Sequence, residues 1–430
     1  MLFYETFGRV EFVREFVDLS RVQTVNPEIA RQVTSMIEDV RMRGDDALIA
    51  YAQKYDGVDL KSEDFYLDLN EIDAEELPLS DKEKAAIRFA YDRIYNFACQ
   101  VKPQDSDRGT GNGYVAQKYV PFDRVACYVP SGSFPLVSTT IHTCAFAQAA
   151  GVRDITIITP PKESGVHPAI LYAAKIVGVQ RILQLGGVYG VAACAFGTDT
   201  VDAVQFIAGP GNAYVTEAKK QVFGIVGIDM LAGPSEIMVI ADETANIRYV
   251  AADLLSQAEH GSGMEQAVLV TTSQALVDGI ESEVAAQRAL LPENSAMNLV
   301  IAKGIFVIKA ESLDECVAIC NAYAPEHVEI LTAQPKILEP KITSAGAIMM
   351  GAWTPEPIGD FVAGSSHVLP TGGAARIFSG LTTAHFMKKI SVQNFTDQML
   401  KDTHEAAEEF ARMESLPAHG RSVSIRFDES

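Results

Sequence analysis

Apolar positions recur at helical spacing through 26 to 55 (NPEIARQVTSMIEDVRMRGDDALIAYAQKY) and again from 80 to 101, where Ser80-Asp81 offers an N-cap. The first hundred residues are therefore expected to be mainly helical. From Val125 the texture changes to short β-rich runs parted by Gly and Pro: Val125 to Val129, Ile155 to Thr159, Arg181 to Leu185, Val204 to Ile207, Ile237 to Ala241, Ala267 to Thr271, Val328 to Leu331 and Ala347 to Met350. Helical stretches lie between them, at 168 to 178, 191 to 196, 212 to 223, 246 to 260 and 311 to 323. This alternation predicts βαβ units with right-handed crossovers, and the number of runs calls for two parallel sheets. The tail from about 380 reads as helical and charged, then ends in a strand-like SVSIRF.

With 430 residues, 48% of them hydrophobic, the chain can bury more than one core. Thirty-five basic against 56 acidic residues leave a net charge of −21, which repels nucleic acid and anionic membrane and suits a cytoplasmic enzyme. The opening MLFYETFGRVEFVREF lacks a basic segment followed by an apolar one, and no stretch has the roughly 18 apolar residues of a membrane span, so neither export nor insertion is expected. Six cysteines show no CxxC pair; Cys316 and Cys320, four apart in an apolar run, read as buried thiols.

The chemistry concentrates in four distant runs that hold four of the eight histidines beside acids and amides, a pattern that suggests a metal-assisted enzyme. In LLSQAEHG, Gln257 and His260 are three apart at a helix end closed by Gly261; they offer an amide oxygen and an imidazole to one ion, or simply a capped polar helix end. APEHVE sets Glu326 and His327 at the amino end of a strand, as a proton-transfer pair or as a solvated loop. PEPIGDFVAGSSHVLPTGG is dense in Pro and Gly and is expected to be held in turns rather than a helix. Those turns would fix Asp360 as an oxygen donor and His367 as its neighbour, or an Asx-turn and a capped histidine. MESLPAHG carries Glu414 and His419. GPGN after a β-like run opens a helix whose N–H groups can meet an anion, but no GxGxxG fingerprint occurs, and from spacing alone turn glycines shaping a strand-to-helix junction are the better reading.

Together AGPGNAYVTEAK, IDMLAGPSE, ADLLSQAEHG, APEHVE and SSHVLPTGGAAR resemble the histidinol dehydrogenase family, over nearly the whole chain from about Val22 to Arg426. The resemblance implies one zinc ion per site on Gln257, His260, Asp360 and His419, with Glu326 and His327 as the catalytic acid/base pair. It places the substrate against these ligands and against Ser235, His327, His367 and Glu414, and NAD against Tyr128 and Asn212. Tyr189 stands in Gly186-Gly187-Val188-Tyr189-Gly190 where the family reads GGAQA, so it takes the place of a glutamine at the nucleotide. The YVPGG turn has become Tyr128-Val129-Pro130-Ser131-Gly132, and the helix usually like STVLMNAIPAKVAG is STTIHTCAFAQAAG, with Phe146 for proline and Gln148 for lysine.

The implied architecture is α/β, with two Rossmann-like parallel-sheet domains lacking GxGxxG and a helical C-terminal tail used in dimerisation. Residues 1–127 hold a helical part and the start of the first α/β domain, 128–234 an inserted Rossmann-like domain, 235–378 the rest of the first domain with the metal and catalytic residues, and 379–430 a tail that completes the partner's site in a homodimer. The implied function is zinc-dependent, NAD-linked oxidation of L-histidinol through the aldehyde to L-histidine. The alternatives are a related dehydrogenase of another small alcohol such as sulfopropanediol, and a non-catalytic zinc and ligand-binding protein. Glu414 favours a cationic amino alcohol over an anionic sulfonate, and retention of Glu326 with His327 favours catalysis.

Overall fold

The computed structural model describes residues 1–4, 27–106, 113–130 and 135–428, so Ser131 and Gly132 of the altered turn and residues 5–26 of the opening run lie outside the described residues. Contacts divide the chain into two compact units: residues 1–102 with 122–386, and residues 103–121 with 387–430.

The first unit opens with strand β1 (Leu2–Tyr4) and helices α1 (Pro27–Arg43) and α2 (Asp45–Tyr51), followed by β2 (Tyr66–Asp68) and α3 (Asp81–Gln100). Ser80 caps α3 in a reciprocal capping box with Glu83. In the second unit β3 (Tyr114–Pro121) awaits a much later strand. A run of βα units continues the first unit: β4 (Arg124–Tyr128), α4 (Val137–Ala150), β5 (Asp154–Ile158), α5 (Pro168–Val177), β6 (Arg181–Leu183), α6 (Gly187–Phe196), β7 (Phe206–Ala208), α7 (Ala213–Val222) and β8 (Gly227–Ile228). Its sheet has the order β2-β6-β5-β4-β7-β8, parallel except for the β2–β6 pair. Alternation along β4 sends Ala126 and Tyr128 into a cluster with α1, α6 and α7, and Cys127 into another with α4 and α5.

The second series is β9 (Glu236–Ala241), α8 (Ile247–Ala258), β10 (Gln266–Thr271), α9 (Gln274–Arg288), α10 (Ser295–Lys303), β11 (Ile305–Lys309), α11 (Leu313–Tyr323), β12 (His327–Leu331), α12 (Pro335–Leu338), β13 (Ala347–Met350) and α13 (Glu356–Phe361). All six strands of its sheet, β1-β11-β10-β9-β12-β13, are parallel. Met238, Ile240, Val328 and Ile330 face α11, whereas Ile237, Val239 and Leu331 face α8, α9 and α10. Burial on both sides explains why these strands read as continuous apolar runs. Both sheets therefore place the first strand of each series centrally and reverse direction beside it, at β4/β7 and at β9/β12, as doubly wound folds do.

Three expectations need correction. IFVIK at 305–309, absent from the expected strands, is β11: a five-residue apolar run after Gly304 is the mark of a fully buried parallel strand. Residues 356–361 form a short helix rather than turns, because Pro355 sits at its N-cap and Pro357 in its first turn, where no N–H is needed. The tail is not helical from 380, and SVSIRF is not a strand. In the second unit β14 (Met387–Asn394) pairs antiparallel with β3, followed by α14 (Asp397–Met413) and α15 (Pro417–Ser424), with a 3₁₀ turn at Ile425–Phe427. Pro417 can open a helix at its first position, and helical context overrides the strand-like alternation after it.

Candidate active site

The period of β12 sends His327, Glu329 and Leu331 to one face, and Leu331 packs with α8 on that side. On α8, Asp253 and Gln257 are four apart and buried, so the same helix face meets this row of the strand. Helix α13 then brings Glu356 and Asp360, also four apart, over the amino end of β12. Three short elements thus assemble a polar nest beside an apolar core.

Glu326 and His327 are both buried. The Glu236 backbone N–H donates to Glu326 Oε2 at 2.9 Å, which leaves Oε1 for another partner. His327 Nδ1 lies 3.1 Å from the Glu236 carbonyl oxygen and must donate to it. Its Nε2 lies 3.2 Å from Asp360 Oδ1. With an acceptor at each nitrogen, the ring is held as an imidazolium. Burial opposes that charge, but the carboxylates of Glu326 and Asp360 outweigh it and raise the pKa to about 10. Burial likewise opposes ionisation of Asp360, and the hydrogen bond and charge of His327 outweigh it to hold its carboxyl below the usual range. Glu326, dominated by burial, is pushed up to about 8. The solvated-loop reading of Glu326 and His327 therefore gives way to a buried, hydrogen-bonded carboxyl and imidazole.

Donor atoms of His260, Glu356 and Asp360 all lie within 4.8 Å of one another, the spacing a single cation requires. Gln257 is fully buried beside them, with Nε2 3.0 Å from His260 Nδ1 and Oε1 lacking any hydrogen-bond partner among the described residues. An orphaned amide oxygen next to an imidazole and two carboxylates is the mixed O/N donor set that suits zinc, and it costs free energy if nothing fills it. Glu356 was not among the residues singled out from the sequence. The signal was present in PEPIGD, since helical geometry gives Glu356 and Asp360 a common face, but that run was read as turns. Behind them Glu329 Oε1 accepts from the Glu356 N–H at 2.7 Å, and Ser256 Oγ lies 3.2 Å from Glu356 Oε2. Burial raises Asp253 to about 6 and Glu356 to about 8, so this is a store of buried carboxyl groups.

Other expected contacts fall as follows. Ser235 immediately precedes β9, one residue from the Glu236 N–H that holds Glu326. His367 is engaged at both nitrogens, with Nδ1 3.0 Å from the Asp360 carbonyl oxygen and Nε2 3.1 Å from Thr139 Oγ1. Glu414 and His419 belong to the second unit, where both are exposed, at the end of α14 and within α15.

At the β4/β7 reversal, Tyr128 ends β4 and its hydroxyl accepts from the Gly187 N–H at 3.0 Å, at the start of α6. Gly209 lies so close that an added Cβ would be 2.3 Å from the Tyr128 carbonyl oxygen, which explains the glycine of AGPGN. Asn212 caps α7, its Oδ1 accepting from Tyr214 and Val215 N–H at 3.0 and 3.1 Å. The Tyr189 ring is buried and its hydroxyl donates to Asp56. Two helix N-termini therefore converge on the carboxyl ends of β4 and β7, where doubly wound sheets bind nucleotides. Among the described residues no helix is long and apolar enough to cross a membrane.

The histidinol dehydrogenase family profile matches residues 19–427. The chain is 39% identical over 424 residues to histidinol dehydrogenase from Lactococcus lactis subsp. lactis, covering 98% of each chain. It is 40% identical over 422 residues to histidinol dehydrogenase from Rhizobium meliloti, covering 97% of this chain and 96% of that one. The crystal structure of histidinol dehydrogenase from Elizabethkingia anophelis superposes with a TM-score of 0.90 at 35% identity, over 99% of this chain and 98% of that one.

Proposed function

Because this chain belongs to the histidinol dehydrogenase family, we propose that it oxidises L-histidinol through L-histidinaldehyde to L-histidine with zinc and two molecules of NAD. The observation that carries this reading is the buried Glu326–His327 pair joined through Asp360 to the His260–Glu356–Asp360 group and the orphaned Gln257 oxygen. A dehydrogenase that turns an alcohol into an acid must remove two hydrides, take protons twice and admit one water. A carboxylate and an imidazole, each held by the Glu236 backbone, are the groups such a sequence requires.

In the first oxidation Nε2 of His327, once it has released the proton it shares with Asp360 Oδ1, takes the alcohol proton as hydride passes from the carbinol carbon to NAD. The bond from Nδ1–H to the Glu236 carbonyl fixes the tautomer that exposes Nε2. In the second, Glu326 takes a proton from the water that adds to the aldehyde, and the resulting gem-diolate passes hydride to a second NAD, leaving the carboxylic acid. Its Oε2 is tethered by the Glu236 N–H, which leaves Oε1 as the oxygen to take that proton. Gln257, His260 and Asp360, with His419 from a neighbouring subunit, would hold the zinc ion, which would supply a Lewis-acidic anchor for the substrate's amine and imidazole. Glu356 and Glu329 hold the carboxylate-rich wall in place. Nucleotide is assigned to the β4/β7 crevice at Tyr128, Asn212 and the Gly186-Gly187 turn beside Tyr189, with the helix N-termini toward its phosphates.

The exposed Glu414 and His419 are assigned to a neighbouring subunit's site, which makes the working enzyme a cytoplasmic homodimer with shared sites. Glu414 answers the substrate ammonium. The direct test is steady-state NADH formation with histidinol beside a panel of small diols, including a sulfonated one, before and after prolonged chelation. Histidinol should be preferred, chelation should abolish turnover, and zinc should restore it. Preference for the sulfonated diol, or full turnover in protein shown to be metal-free, would refute the assignment.

A further inference from the structure

Helix α4 carries His142 against His367, with ring centroids 4.3 Å apart and planes 18° from parallel. The two rings are unequal partners. His367 has no hydrogen-bonding capacity left, because Nδ1 donates to the Asp360 carbonyl oxygen and Nε2 accepts from Thr139 Oγ1. It is a bolt between α4 and the segment that bears Asp360. His142 is fully buried and neither of its nitrogens has a hydrogen-bond partner among the described residues.

Burial, the largest influence, keeps the His142 ring neutral, so it presents one N–H and one lone pair. Polar groups beside it include backbone atoms of Asp360 and Phe361, which the ring does not meet in hydrogen-bond geometry. A small rotation toward their carbonyl oxygens satisfies the N–H. Carbonyl oxygens cannot satisfy the lone pair, which still needs a donor. A buried acceptor left without one is costly, and this one lies beside the ring that locks Asp360, next to the metal-ligand group.

We propose that His142 is a substrate contact, its ring nitrogen accepting a hydrogen bond from an N–H or O–H group of the bound amino alcohol. The inference rests on the histidinol reading and sharpens it. A neutral acceptor in this position favours a donor group, such as an amine, imidazole N–H or hydroxyl, and gives nothing to a sulfonate group, whose oxygens only accept. It also moves a polar contact expected at His367 to the ring stacked on it, since His367 spends both nitrogens on the protein.

The test uses His142→Met and His142→Gln in the zinc-loaded enzyme, with histidinol binding by calorimetry, thermal unfolding without ligand, and steady-state kinetics. Methionine fills the space without an acceptor, whereas glutamine keeps an oxygen there. His142→Met should melt at or above the wild-type temperature without ligand, because an orphaned polar group is gone. Its Kd and KM for histidinol should nevertheless rise about tenfold, with kcat changed much less, as loss of one hydrogen bond predicts. His142→Gln should recover part of that loss. Wild-type Kd and KM in His142→Met would overturn the proposal and leave His142 a packing residue, as would an equal failure of the glutamine variant. If wild type itself ignores histidinol, the functional reading has failed. A tenfold loss by His142→Met toward whichever donor-bearing alcohol it does oxidise would then still support the contact, and no loss would overturn it.

Discussion

Lys219→Met should expose how strongly one buried ion pair holds the proposed nucleotide crevice together. Lys219 pairs with Asp229, with side chains 3% and 0% exposed. Asp229 also accepts from the Gly209 and Met230 N–H groups, each at 2.7 Å, while Lys219 donates to the Gly209 carbonyl oxygen at 2.8 Å. Methionine keeps the apolar stem but strands a buried carboxylate, a loss of about 3–5 kcal/mol for one partner of such a pair. At about 2–4 °C per kcal/mol for a domain of a few hundred residues, the melting temperature should fall by about 6–20 °C. Gly209 would lose the bond to its carbonyl oxygen, one of its two tethers, where its backbone abuts Tyr128, so the KM for NAD should rise along with the loss of stability. Adding Asp229→Asn removes the stranded charge and should restore more than half of the loss, a coupling that a double-mutant cycle by differential scanning calorimetry measures. A fall of under about 2 °C in Lys219→Met would show that the pair counts no more than a surface ion pair. A double variant as unstable as the single one would refute the stranded-charge reasoning.

Glu326→Gln should slow oxidation of histidinaldehyde far more than that of histidinol, because only the second oxidation needs an activated water; equal losses in the two half-reactions would mean the roles are misassigned. Burial sets the Glu326 pKa at about 8, and a base acts when ionised, so kcat/KM for the aldehyde should climb as pH rises through about 8. That limb should vanish in the glutamine variant, and a pH profile unchanged by the substitution would assign the limb to another group. Tyr189→Gln releases Asp56 and returns an amide beside the Gly186-Gly187 turn, so the KM for NAD should drop; an unchanged or higher value would place Tyr189 in a purely packing role. Coexpressed His260→Ala and His419→Ala chains should regain about a quarter of wild-type activity, since half of randomly paired dimers are hybrids with one intact site. No recovery in hybrids confirmed by differential tagging would place both residues in one subunit's site.

The period of apolar positions determined the α/β class, both parallel sheets and most of their strands, because a strand buried on two faces leaves a short continuous apolar run that survives in one dimension. The run 305–309 was as legible as the others. Gln257, His260, Glu326, His327 and Asp360 stood out because few histidines occur and each sits beside an acid or amide. Only the tertiary structure decided how these residues meet. The reversal of strand order beside β9 sets Glu236 against Glu326 and His327, residues about 90 positions apart whose hydrogen bonds fix tautomer and charge. Glu356 joined the site because two prolines start a helix rather than a turn. His142, one more residue in an apolar run, became a polar group without a partner among the described residues only when α4 was packed against the Asp360 segment. A sequence shows which groups are present and which face of an element they share. Whether a donor finds an acceptor depends on angles and distances between elements, and those are settled when the cores of several elements pack at once.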